Sequence, residues 1–585
     1  MNTRVASIAA ILAVSLLVAC AGPDRAEKPA AVYSPDLGNG SYKNPILFAD
    51  YSDPDVVRVG HDFYLTASSF TCFPGLPILH SKDLVNWTII GHAITKYPLP
   101  GFEYHRNGDG VWAPAIRYHD GHFYIYFGDP DNGVFMTKAA NPAGPWDPLV
   151  LVHAGGKGWI DTCPFWDDDG QAYLIHAFAG SRSGGLKNIL HICRLSPDGT
   201  HTLDEGQLVL DGNTFKYTTI EGPKLYKRNG YYYIFCPGGG VSTGYQVVAR
   251  SRNIYGPYES RIVMKQGNTP INGPHQGAWI TTTDGPDAQH WFIHFQDDGG
   301  FGRITHLQPM AWHDDWPVIG EPMPDDPTCG QPVITWTKPD VGRSFPVEVP
   351  QTSDDFTAST PGPQWQWFGN YDDDWASLAP GCLRLNAVSL DKPLTLFQRP
   401  NLLTQKLPAD HFTVTAKLDT SHLAPNESAG LLITGLGTAA LQVENTPAGL
   451  KIARTTAQPP KKPPTTRPAT TATSQPTDPA AKINPKFSIP QQPDKEDTAT
   501  ALPTPIVYLR IKVHPSGPPG NPTKLPRAVA TTSYSTDGRN FITLGKPFAV
   551  AENGWIGAKL ALFCNAPPEA SAHGYADFHY FRFER

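Results

Sequence analysis

Short apolar and aromatic runs separated by turn residues, not helical periodicity, dominate the first half of the chain. Asp55-Val56-Val57-Arg58-Val59, a turn at Gly60 and Phe63-Tyr64-Leu65-Thr66 make one such pair, the pattern of two adjacent strands joined tightly. Aromatic runs after turn residues recur at Gly121 to Tyr126, Gly170 to Leu174, Gly230 to Ile234 and Gln289 to Ile293. With Tyr64, Tyr124, Tyr173, Tyr232 and Phe292 as markers, the steps are 60, 49, 59 and 60 residues. Closing corners recur as well: Asn141-Pro142-Ala143-Gly144-Pro145-Trp146 is similar to Asn253-Ile254-Tyr255-Gly256-Pro257-Tyr258, and Ser81 to Trp87 fits the same corner of the first unit. A repeat of roughly 50–60 residues made of short strands predicts propeller blades. Five in-phase units predict a five-bladed β-propeller over residues 41–320, where chance periodicity in a plain β-sandwich would not give five copies.

Beyond it the alternation changes. Residues 321–350 are Pro-rich and read as a linker packed on the propeller. Runs such as Phe412 to Leu418, Gly430 to Thr434, Tyr508 to Val513, Ala528 to Tyr534 and Ala576 to Phe583 alternate like strands with one buried face. They predict a second all-β domain over 351–585. Within it, residues 455–504 are dense in Pro, Thr, Ala and Lys, too polar to bury a face, and predict a disordered insertion.

The totals narrow the class. Proline is 59 of 585 residues, which suits many short strands and turns better than long helices. A net charge of −7 with no long basic run excludes nucleic acid as the expected partner. Val5 to Val18 is an apolar run too short to span a bilayer, behind a single positive charge. It ends in Leu17-Val18-Ala19-Cys20, which resembles a bacterial lipobox. That resemblance implies a lipoprotein signal peptide over 1–20, lipidation of Cys20, a tether over 21–40, and a lipid-anchored place in the bacterial cell envelope, at the periplasm or outer membrane. The lipid anchor is the only membrane contact expected. The seven remaining cysteines are irregularly spaced and odd in number, which reads as buried small hydrophobes, not a disulfide framework.

The candidate chemistry comes from phase. Eleven residues before Tyr64 stands Asp53; twelve before Tyr124, Trp112; twelve before Tyr173, Asp161; eleven before Tyr232, Glu221. The fifth unit is looser, with His275 seventeen before Phe292. Equal phase in a propeller means one end of the central channel, so three carboxylates, a Trp and a His are expected at one mouth. Glycosidic hydrolysis needs a carboxylic acid for the leaving oxygen and a carboxylate as base or nucleophile. A third carboxylate supplies the like charge that keeps the acid protonated.

The motifs Ser52-Asp53-Pro54-Asp55, Phe73-Pro74-Gly75-Leu76-Pro77, Gly110-Val111-Trp112-Ala113-Pro114, Ile220-Glu221-Gly222-Pro223, Asn272-Gly273-Pro274-His275-Gln276-Gly277 and Gly302-Arg303-Ile304-Thr305-His306 resemble glycoside hydrolase family 43. The resemblance covers residues 42–320 and continues into the second domain, which is similar to the concanavalin-like sandwich of β-xylosidases and α-L-arabinofuranosidases. It implies an inverting enzyme with Asp53 as general base, Glu221 as general acid and Asp161 as the residue that raises the acid's pKa. It places Phe70, Trp112, His275 and Arg303 around the sugar. No cofactor is required, though some members hold a calcium ion through waters near the histidine, so a structural calcium in the channel by His275 is the ion the resemblance allows. The implied function is release of β-D-xylose or α-L-arabinofuranose from non-reducing ends of hemicellulose-derived oligosaccharides or polysaccharide. Gly238 to Gln246 lacks the Thr and His many family xylosidases show there, and is similar to a different branch, so the likeness carries mechanism further than substrate. The alternative is a non-catalytic surface glycan-binding propeller lipoprotein. A retaining fructosidase-type propeller would need a Trp-Met-Asn-Asp-Pro run, which is absent, and neither a Gly-x-Ser-x-Gly elbow nor His-Glu-x-x-His occurs.

Overall fold

Each aromatic marker sits on the second strand of a blade of four antiparallel strands, and there are five such blades, the sheet of the fourth running on to six strands. The computed structural model describes residues 31–155, 157–390, 394–457, 494–516, 528–568, 570 and 573–585. The innermost strands of blades 1 to 5 are Asp55–Val59, Trp112–His119, Trp159–Trp166, Lys224–Arg228 and His275–Thr281. Neighbouring innermost strands pack together, the fourth meeting the fifth where the Trp279 N–H donates to Tyr226 Oη (3.1 Å), and the fifth returns to the first, closing a ring around a central channel. Blades meet through stacked apolar layers, such as Phe235 and Phe292 between blades 4 and 5. The chain closes the ring by laying its start along blade 5. Leu47 and Thr305 exchange two main-chain hydrogen bonds (3.2 and 3.0 Å), and the Asn44 side chain holds both the N–H and the carbonyl of Leu307 (2.8 Å each).

The looser fifth spacing has a local cause. The hairpin between the first two strands of blade 5 runs from Thr282 to Gln289. The corresponding turns of blades 1 and 2 are two residues, at 60–61 and 120–121. The extra residues displace the aromatic marker, not His275, which begins its innermost strand as Trp112 does.

The second domain is a sandwich of a seven-stranded and an eight-stranded sheet around one apolar core. Among the described residues helix is confined to Gly212–Phe215 and three short 3-10 turns, and no helix is long and apolar enough to cross a membrane. All seven cysteines from Cys72 to Cys564 are buried and unpaired.

Three expected boundaries move. The tether expected over 21–40 does not extend through 31–40: Val32 is in the sandwich core, and Asp36 shares Lys338 with Asp83 (2.6 and 2.8 Å). Burial of an apolar side chain and a paired charge is what holds that segment. The linker 321–350 contains strands. Glu321–Met323 and Asp326–Gln331 extend the sheet of blade 4, and Thr335–Thr337 pairs with Ser41–Lys43. The insertion expected at 455–504 begins later and ends earlier, because Gly449–Ala457 and Lys495–Ala501 pair as strands of the seven-stranded sheet. Thr and Ala in these flanks alternate well enough to join a sheet edge. Residues 458–493, the signal segment 1–20 and Cys20 lie outside the described residues.

Candidate active site

The innermost strands do not enter the channel smoothly. In blades 2, 3 and 5 the pairing register breaks near the start of the strand, between Trp112 and Ala115, Ile160 and Cys163, and His275 and Gly277. A bulge re-aims side chains, and at each break a non-glycine residue has positive φ: Ala113 (28°), Asp161 (57°) and Gln276 (32°). Asp53 (55°) and Phe70 (51°) share this conformation in blade 1. Left-handed backbone in non-glycine residues is strained and clusters where function over-determines it.

These turns bring together every residue expected at the mouth. Asp53 is 6% exposed. Its Oδ2 accepts the hydroxyls of Ser52 (2.8 Å) and Ser68 (2.6 Å), and its Oδ1 accepts Arg303 Nη1 (2.9 Å). Ser68 in turn accepts the Ala113 N–H (2.8 Å), tying blade 1 to blade 2. Asp161 is buried, and its Oδ2 accepts the Gly222 N–H (2.7 Å), which fixes the turn carrying Glu221. Gly222 has to be glycine there: φ is +56°, and a Cβ would lie 2.3 Å from Gln276 Cγ. Glu221 Oε1 shares a hydrogen bond with His275 Nε2 (2.9 Å), and its side chain is 29% exposed where His275 is 1%. The carboxyl left open to the channel is thus Glu221.

Electrostatics link the three acids. Burial first, then the negative charges of Glu221 and Asp53, push Asp161 up to about 8. The same burial and like charge favour a bound proton at Asp161, beside the turn that carries Glu221. The arrangement sets an exposed carboxyl, Glu221, where it can hand a proton into the channel, while Asp53 faces an arginine and two hydroxyls.

Four further residues were expected around a sugar. Phe70 exchanges main-chain hydrogen bonds with Val111 (3.0 Å each), and Gly110 beside it leaves no room for a Cβ, which would meet the Phe70 carbonyl at 2.4 Å. The indole N–H of Trp112 donates to the Gly108 carbonyl (2.8 Å). Arg303 lies over the Phe295 ring at 4.6 Å, donates to Ser52 as well as Asp53 (3.0 Å), and has a buried Nε with no partner among the described residues. His275 Nδ1 is likewise buried and unpartnered. It offers one nitrogen where calcium takes six to eight oxygens, and the described residues hold no group of three or more His, Cys, Asp or Glu fit to ligate a metal. The one observation in favour of an ion is that unpartnered nitrogen, which could receive a water of a hydrated cation.

Sequence reasoning could not choose which loop of the sandwich reaches the site. The loop between Phe548–Val550 and Lys559–Asn565 reaches the mouth and sets Trp555 edge-on to Trp112 at 5.3 Å (interplanar angle 80°). It also missed Ser52 and Ser68, though Ser52 adjoins Asp53 and could have been weighed as its donor. The acidic run Asp167-Asp168-Asp169-Gly170 is a hairpin turn: Gly170 N–H donates to the Asp167 carbonyl (3.0 Å), and the Asp167 carboxylate accepts Lys227 Nζ and Tyr232 Oη (2.5 Å).

Comparison with known proteins identifies the family of both domains. The family model described as glycosyl hydrolases family 43 matches residues 42–317. That of the beta xylosidase C-terminal Concanavalin A-like domain matches 353–475 and 486–584. A putative beta-xylosidase of Xylanibacter ruminicola is 44% identical over 403 residues, 68% of this chain and 72% of that protein. A non-reducing end alpha-L-arabinofuranosidase of Bacteroides ovatus is 32% identical over 68% of this chain and 74% of its own length. Among solved structures, a xylan beta-1,4-xylosidase from Bacillus halodurans superposes with a TM-score of 0.75 over 93% of this chain and 100% of its own, at 24% identity.

Proposed function

The chain belongs to glycosyl hydrolases family 43, and from that membership we propose how its site works: by inverting hydrolysis that releases a terminal pentose, β-D-xylose or α-L-arabinofuranose, from hemicellulose-derived oligosaccharides. Asp53 takes a proton from water as the water oxygen bonds to the anomeric carbon. Glu221 gives its proton to the glycosidic oxygen as the bond from that oxygen to the anomeric carbon breaks. Both events belong to one displacement, so no covalent sugar–enzyme species forms, and acid and base are expected ~6.5–9.5 Å apart with the water between. Asp161 keeps the acid protonated and, through Gly222, aims Glu221. Arg303 orients Asp53 and bonds sugar hydroxyls through its open edge, while Phe70, Trp112 and Trp555 pack on the ring faces. His275 orients Glu221.

The observation that carries this reading is the convergence of Asp53, Asp161 and Glu221 from blades 1, 3 and 4 with Asp161 raised by burial and by the other two. A glycan-binding propeller without catalysis has no use for a buried acid so perturbed. The test is proton NMR of the protein digesting aryl β-xyloside and aryl α-arabinofuranoside beside Glu221→Gln. Release of one pentose with inverted configuration, lost in the variant, supports the reading; retained configuration overturns Asp53 as base.

No metal takes part in the displacement as proposed. A calcium ion, if the channel takes one up, would stand off His275 Nδ1 through water and serve structure, so EDTA is expected to lower the melting temperature and leave kcat within about twofold. We also propose that Cys20 is lipidated and holds the enzyme at the cell envelope, on the strength of the lipobox-like Leu17-Val18-Ala19-Cys20. Cys20→Ser is expected to move the protein from the detergent phase to the aqueous phase of a Triton X-114 partition.

A further inference from the structure

Blade 5 and the sandwich meet where backbone touches backbone. A Cβ on Gly557 would lie 2.6 Å from Gly302 Cα, and one on Gly300 would lie 2.5 Å from the Val550 carbonyl oxygen. The Ala558 N–H donates to the Gly300 carbonyl (2.9 Å). One oxygen of Asp50 accepts the Gly557 N–H (3.0 Å) and the other accepts the Arg303 N–H (3.0 Å). The same sandwich loop carries Glu552, whose carboxyl is hydrogen-bonded to Asp297. Asp297 is the cross-strand partner of Arg303, and Arg303 is the residue that grips Asp53.

Ionised carboxylates only accept hydrogen bonds, so two carboxyls bonded to each other hold a proton between them. The neighbourhood favours this: burial, then the charge of Asp297, pushes Glu552 up to about 8 against the opposing pull of Arg303, with Asp50 adding to the rise. Lys559 lies 3.9 Å from Asp50, Lys406 is close enough to both for their charges to act on it, and Asp298 follows Asp297 in the adjoining turn.

We propose that Glu552 of the sandwich is a positioning residue of the hydrolytic site: by sharing a proton with Asp297 it leaves one negative charge instead of two beside Arg303, and so keeps the guanidinium on Asp53 with its open edge toward the sugar. The inference rests on the reading of Arg303 and Asp53 given above. It makes the sandwich a working part of the active site, beyond the packing of Trp555 on the rim. Loss of the shared proton places a second anion beside Arg303, draws the guanidinium toward Asp297 and Glu552, and loosens both the base and the sugar contacts.

The test separates this role from both folding and turnover. In a Glu221→Gln background, xylobiose and L-arabinose binding is followed by tryptophan fluorescence at pH 6.5 and pH 9.5, with and without Glu552→Gln. Glutamine donates the same hydrogen bond to Asp297 and cannot ionise. The affinity is expected to fall about five- to tenfold at the higher pH in Glu221→Gln and to stay within twofold once Glu552→Gln is added. Equal pH dependence in the two proteins overturns the proposal, since Asp161 is present in both. In the otherwise wild-type enzyme, Glu552→Ala is expected to lower kcat/KM at least tenfold and Glu552→Gln to restore it to within threefold; an alanine variant as active as wild type also overturns it. Sugar binding with the expected pH signature but no turnover in wild type would sink the hydrolytic reading and leave the positioning role standing. A protein that neither binds nor turns over either sugar sinks both.

Discussion

Replacing Asp161 with asparagine removes a charge while keeping a shape. The side-chain oxygen that accepts the Gly222 N–H at 2.7 Å survives in the amide, so the turn that aims Glu221 should hold. What disappears is a like charge next to the proton donor. For carboxyls roughly 5–7 Å apart at an effective dielectric of ~20, the repulsion is about 2.4–3.3 kcal/mol, or roughly two pH units at 1.36 kcal/mol each. In the wild type burial and the two neighbouring charges raise Asp161 to about 8. The group is an acid whose proton-bound form is favoured by the fold, so activity that depends on it is present below this value and lost as pH rises through it. In Asp161→Asn the alkaline limb of kcat/KM is therefore expected to move down by roughly two pH units, with a roughly tenfold loss near neutral pH and convergence of the two enzymes to within about twofold at pH 5. The assay is kcat/KM on an aryl pentoside from pH 4.5 to 9.5, with thermal melting as a control for folding. An alkaline limb that does not move, or a loss of equal size at every pH, would refute the assignment of Asp161 as the group that keeps Glu221 charged with its proton.

Other perturbations read other parts of the site. Ser68→Ala deletes the 2.6 Å hydrogen bond to Asp53 and strands the Ala113 N–H; at ~1.5–3 kcal/mol for a bond to a charged group, a drop of about ten- to a hundredfold in kcat/KM and a lower melting temperature are expected, and an unchanged rate would mean that Asp53 needs no such support. Trp555→Ala removes the ring set against Trp112, and at ~0.5–1.5 kcal/mol for the lost aromatic contact KM should rise about two- to twelvefold on oligosaccharide with kcat within threefold. A fall confined to kcat would contradict the rim placement. Gly300→Ala forces a Cβ to within 2.5 Å of the Val550 carbonyl, so by overpacking it should cost ~1–3 kcal/mol in denaturant unfolding and raise KM by shifting the loop that carries Trp555.

The recurrence of aromatic strands at steps of 49 to 60 residues was enough to count the blades, because strand pairing within a blade is local and leaves a local period. The same phase put Asp53, Trp112, Asp161 and Glu221 at one mouth, since innermost strands that start alike around a ring must point alike. His275 was reached with less regularity because a longer hairpin separates it from its marker. The flanks of the proposed insertion were misread because Thr- and Ala-rich edges form strands only when a sheet edge is offered to them. Nothing in the spacing pointed to Trp555 or Glu552, which stand more than two hundred residues downstream in a loop whose own sequence reads as an ordinary turn. Their place is decided by a docking surface: Gly300, Gly302 and Gly557 let two backbones close to contact, and Asp50 binds an N–H from each side. A chain's periodicity records interactions between neighbours in sequence, whereas the meeting of two finished domains depends on the shape and charge of surfaces that exist only after each has folded.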